Sequence, residues 1–189
     1  MPYEQTERHI RDSLCSIFAR VDAWFDRDAD LRAFRPASGG WSIDQVLEHV
    51  ALTNRSLLLT LRKHVAIAER RARRGASPPG VESDLSRLEI IGERGSFAWP
   101  RPEHLEPTGV ASSDDVRATL HAQLGECLIL LERMGGGVGT HCRITMSSAD
   151  LGKIDLYQLA YFLAQHARRH LHQMSAIEAE GMADRTVST

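Results

Sequence analysis

The chain has 189 residues, 42% of them hydrophobic and 25% charged, enough to bury a sizeable core without disulfides and fitting one domain over 1–189. A net charge of −2 offers no footing for nucleic acid or an anionic membrane. The polar start MPYEQTERHIRDSL has no apolar leader, no apolar run reaches membrane-spanning length, and Cys15, Cys127 and Cys142 lack CxxC spacing, so reduced thiols in the cytoplasm are expected.

Helical periodicity runs through four segments. From about Glu4 to Phe25, Ile10, Leu14, Ile17, Val21 and Trp24 step by four and three, a stripe suited to a bundle core. After the turn Ala37-Ser38-Gly39-Gly40, Ser42 and Gln45 have capping-box spacing, and Trp41 and Val46 stand where a hydrophobic staple would. This second helix continues through Val50, Leu57 and Leu61 to about Arg70. A stretch rich in Pro, Gly and charge follows from Gly75 to Ser113, long enough for a crossover connection. The third helix, about Asp114 to Met134, has Ser112 or Ser113 as its cap and Val116, Leu120, Leu124, Cys127 and Leu131 on one face. It ends at Gly135-Gly136-Gly137. Between Gly135 and Ile154 there is room for an extended piece around Cys142 to Met146. In the fourth helix Asp155 and Gln158 have capping spacing. The stripe Leu156, Ala160, Leu163, Ala167, His170, Met174 and Ile177 implies a seam packed along its whole length, with a histidine inside it.

His166 and His170 are an i, i+4 pair on that last helix, about 40° apart on one face. Two imidazoles so placed can share one cation. His49 is the best third ligand: it lies on the shoulder of the second helix's apolar stripe, beside Val46 and Val50. Gln45 and Thr53, one turn away, make a polar strip beside the core, and a Gln or carboxylate near a ligand histidine can fix its tautomer. A helical histidine is more often packed or solvated than a ligand, and spacing alone leaves both readings open. Two uncompensated imidazoles against apolar neighbours are costly, however, and coordination offsets that cost. His172 projects from another face, and His9, His64, His104, His121 and His141 have no partner at ligand spacing.

The stretches GGWSIDQVLEHVALTNRSLLL and GKIDLYQLAYFLAQHARRHLHQM are similar to the DinB/YfiT-like superfamily. HLEPTG, residues 104–109, resembles the proline-containing piece that often precedes that family's third helix. The family's pattern is a tryptophan-led helix with one histidine and a last helix with HxxxH followed by Gln. Trp41, His49, His166, His170 and Gln173 match it here. The resemblance implies an all-α four-helix bundle in up-down-down-up order, frequently dimeric, with a metal held by His49, His166 and His170. A C₂ homodimer is expected.

Three neutral imidazoles leave a divalent ion, zinc or nickel, with an open position. That position can hold water, whose pKa on zinc falls towards roughly 7, or a thiolate. Relatives suggested by the resemblance include thiol S-transferases using a low-molecular-weight thiol as co-substrate, and metal-dependent hydrolases. Either would act on a small molecule, with no role for nucleic acid or membrane. The chain lacks the Glu of HExxH, and Glu48 lies about 100° from His49 on the helix, so the reading leans to the transferase. A non-catalytic, metal-stabilised stress-response or binding protein is the reading from a different class. The run Glu69-Arg70-Arg71-Ala72-Arg73-Arg74 offers cations for a thiol's carboxylates, although a solvated helix end is the simpler account.

Overall fold

Each periodic segment folds as a long helix in the computed structural model, which describes residues 2–37, 39–76, 83–93, 102–146 and 151–187. The helices are α1 (Pro2–Asp22), a single-turn α2 (Ala29–Ala33), α3 (Ile43–Arg73), α4 (Ser113–Arg133) and α5 (Leu156–Val187). Ser38 of the turn, residues 77–82 and 94–101 of the long connection, and 147–150 of the next lie outside the described residues.

Local chemistry sets the ends of these elements. The Ser42 hydroxyl accepts from Gln45 N, and the Gln45 side chain accepts from Ser42 N, completing the capping box. Ser112, not Ser113, caps α4 by accepting from Asp115 N. Asp155 and Gln158 repeat the reciprocal arrangement at α5: Gln158 N donates to Asp155 Oδ1, and Asp155 N to Gln158 Oε1, each at 3.0 Å. α1 stops at Asp22, before the expected end at Phe25. Trp24 N and Phe25 N bond to carbonyls three residues back, those of Val21 and Asp22, so the last turn tightens and both rings still enter the core. The short α2, absent from the sequence reading, is capped by Asp28, which accepts from Leu31 N.

α5 packs against α1 and α3, and α4 packs against the same two. One cluster of buried apolar side chains joins them, including Ile10, Leu14, Leu47, Leu61, Leu131 and Phe162. The periodicity of α5 suggests a one-sided stripe, yet every residue from Leu156 to Ala167 is buried. A 3₁₀ turn over Ser86–Gly92 explains this, because it lies across α5 with Leu88 and Ile91 fully buried. Gly92 is the point of closest approach, where a Cβ would collide with the Gln165 side chain. The first three turns of α5, as far as Ala167, are thus enclosed on all sides, and His166 stands within them.

The all-α expectation needs one amendment. The extended piece around Cys142 to Met146 is real and has a partner: β1 (Arg143–Met146) pairs antiparallel with β2 (Gly152–Asp155), Ile144 opposite Ile154. Ile154 is buried, and β2 runs directly into α5. No helix among the described residues is long and apolar enough to cross a membrane.

Candidate metal centre

His49 sits in the second turn of α3, and His166 and His170 are stacked one turn apart on α5, where these two helices face each other. All three are buried, with 9%, 5% and 7% of their surface exposed. One ring nitrogen from each lies within 4.8 Å of the others. His166 Nε2 and His170 Nε2 are 3.1 Å apart, already within the roughly 3–4 Å that two ligands at about 2.0–2.2 Å from one ion must adopt. The rings are splayed rather than stacked: His166 and His170 meet at 69°, and His49 meets His170 at 70° with centroids 4.8 Å apart. Edges, and therefore nitrogens, converge on a shared space.

The outer nitrogens decide which tautomer two of the rings present. His49 Nδ1 lies 2.7 Å from the carbonyl oxygen of Leu105. A carbonyl can only accept, so Nδ1 carries the proton and Nε2 offers its lone pair inward. His170 Nδ1 donates in the same way to Gln173 Oε1 at 2.9 Å, one turn along its own helix. Burial holds His166 well below the usual imidazole pKa, with the neighbouring His170, His49 and Arg169 adding to the effect, so this ring stays neutral. A divalent cation requires neutral imidazoles of its histidine ligands, and outer acceptors such as those of His49 and His170 fix the ring nitrogen that faces it. The donor set fits a divalent metal ion. Among the described residues this is the one group of His, Cys, Asp or Glu arranged to hold an ion.

Some sequence expectations land elsewhere. Gln45 does not orient His49: it completes the helix cap, and Leu105 supplies the acceptor. Trp41, expected as a staple on Val46, packs against the core cluster that holds Val46 and also lays its ring against His49, at 4.8 Å between centroids. Glu48 turns away from the cluster, as helix geometry requires, and its carboxylate accepts from Thr108 and Gly109. Of the arginine-rich end of α3, Arg71 donates to the carbonyl of His141 and Glu69 pairs with Arg133, so this end ties elements together. The role of Leu105 was missed because a main-chain carbonyl leaves no mark in a sequence. Its one pointer was the HLEPTG segment that contains it.

A family model for the DinB superfamily matches residues 18–174. The chain belongs to the DinB superfamily. The matched stretch contains His49, His166, His170 and Gln173, so the cluster lies within the family's own part of the chain. No curated protein and no solved structure matches it.

Proposed function

We propose that this DinB-superfamily chain is a metal-dependent enzyme acting on a small molecule, and that it transfers the sulfur of a low-molecular-weight thiol to an electrophile. The observation that carries the reading is the convergence of three buried imidazole nitrogens, two of them with their tautomers set by outer hydrogen bonds. His49, His166 and His170 would hold the ion, zinc first and nickel second, and the ion would supply a Lewis-acid centre that acidifies a thiol or water. The protein's own part is to keep the rings neutral, aim their nitrogens and exclude bulk water.

A cleft of about 220 Å³ borders the cluster, lined in part by Trp41, Gln173, Pro36 and Ile177. Trp41 touches His49 and Gln173 touches His170, so a small molecule in the cleft would sit one side chain away from the ligands. Hydrolysis needs a general base beside the activated water. The carboxylate nearest in sequence, Glu48, is committed to Thr108 and Gly109, and Glu180, which lines the cleft, accepts from Ala37 N, which favours the thiol reaction. We further propose the family's up-down-down-up bundle and a cytoplasmic location, the latter supported by Cys15, Cys127 and Cys142 all being free thiols.

The test incubates zinc-loaded protein with a low-molecular-weight thiol and an aryl chloride. An S–C bond forms, the C–Cl bond breaks, chloride leaves and the thiol proton passes to buffer. Turnover that disappears in His166→Ala and after chelation is the expected result. Ester or amide cleavage without thiol would replace the reading with a hydrolase, and tight metal binding with no turnover would replace it with a binding protein.

A further inference from the structure

We infer that Glu48 is a positioning residue for the metal centre: it clamps the 105–109 segment so that the Leu105 carbonyl fixes His49 in the tautomer whose Nε2 faces the cluster. The inference rests on the metal reading above for its consequence, but its geometry stands independently.

Glu48 and His49 are adjacent on α3 and diverge by about 100°, so both cannot point at one ion. They nonetheless reach the same piece of chain. His49 Nδ1 donates to Leu105 O at 2.7 Å. Glu48 Oε1 accepts from Thr108 N at 3.0 Å and Thr108 Oγ1 at 2.7 Å, and Oε2 accepts from Gly109 N at 2.7 Å. Glu48 as a residue is 7% exposed, and three hydrogen bonds to an anionic acceptor are stronger than the same number between neutral groups.

The receiving segment is shaped for this contact. Thr108 Oγ1, while donating to Glu48, also accepts from Val110 N. Gly109 adopts φ +69°, a conformation side chains disfavour, and its N–H meets Oε2. Upstream, Glu103–Leu105 forms a single 3₁₀ turn with Glu106 N bonded to Glu103 O. The Leu105 carbonyl thus lies between a local turn and the Glu48 clamp three residues on. Without the clamp, His49 loses a fixed acceptor and its Nδ1 and Nε2 protonated forms compete. The Nε2–H form has no lone pair to offer at Nε2.

The experiment compares ¹⁵N-labelled wild type, Glu48→Ala and Glu48→Gln by long-range ¹H–¹⁵N correlation of the His49 ring in metal-free protein. Chelator competition then measures zinc affinity. The wild type should show one tautomer protonated at Nδ1. Glu48→Ala should show a mixture and bind zinc about 2- to 5-fold more weakly, in inverse proportion to the fraction left protonated at Nδ1. Glu48→Gln keeps an oxygen acceptor but turns an N–H towards Thr108 or Gly109, and should fall between the two. If Glu48→Ala fails to fold, Glu48→Gln decides. A lowered melting temperature with the tautomer unchanged would overturn the inference, as would weaker zinc binding without a change in tautomer. If the wild type binds no zinc, the metal reading fails separately. The tautomer then still decides: mixed in the variants upholds the clamp, unchanged overturns it.

Discussion

Replacing Gln173 with alanine removes the acceptor of the His170 Nδ1 proton, a contact of 2.9 Å within one helix, while leaving all three proposed ligands in place. A neutral hydrogen bond is worth about 0.5–1.5 kcal/mol net. Gln173 is half-buried and lines the cleft beside Trp41, so water can take up part of its role. The loss then corresponds to a zinc dissociation constant about 2- to 10-fold higher, at about 1.4 kcal/mol per decade. Gln173→Glu tests the same contact from the other side. A carboxylate accepts the same proton more strongly and makes the imidazole a better donor to a cation, so zinc should bind at least as tightly as in the wild type. The assay is competition against a chromophoric chelator at pH 7.5, with folding checked by thermal unfolding of each metal-free variant. Equal affinity in Gln173→Ala and wild type, or weaker binding by Gln173→Glu than by Gln173→Ala, would refute the reasoning.

One further outcome follows from the same geometry, and a second is proposed from the family resemblance. Burial depresses the folded-state pKa of His166 below the ordinary 6.5, so below that pH the unfolded chain takes up a proton that the folded protein refuses. The stabilisation is complete above about pH 6.5 and is lost as pH falls towards the folded value. Thermal unfolding of metal-free protein from pH 8 to 5 should show this acid sensitivity, and it should shrink in His166→Gln; an equal slope in both would count against it. Sedimentation should give a C₂ homodimer of the 21.1 kDa chain, and a monomer at micromolar concentration would contradict that proposal.

Side chains whose physics is local were legible in the sequence. Ser42 with Gln45, and Asp155 with Gln158, announce their helix starts because capping needs particular oxygens at fixed spacing. His166 and His170 announce a shared face because helical geometry alone brings them together. Placing His49 opposite them needed both the stripe of the second helix and the family resemblance, since nothing local joins α3 to α5. Features assembled across distance stayed hidden. The Leu105 carbonyl carries no residue signature, and Glu48 looked idle because its partners lie 60 positions and more along the chain. The turn over Ser86–Gly92 reads as loop in a polar connection. It becomes part of the core once Leu88 and Ile91 find α5, which is why that helix is buried on faces its periodicity left open.

The central claim is that the histidines are ligands rather than core packing, and zinc content measured by mass spectrometry on matched variants tests it most directly. His170 belongs to the buried cluster, whereas His172, two residues on, is outside the group whose nitrogens converge. Wild type and His172→Ala purified alike should each carry about one zinc per chain. His170→Ala should carry little or none, because two imidazoles rarely hold a divalent ion against water. Equal zinc in the two variants, with both folded, would show that His49, His166 and His170 are packed together for stability alone.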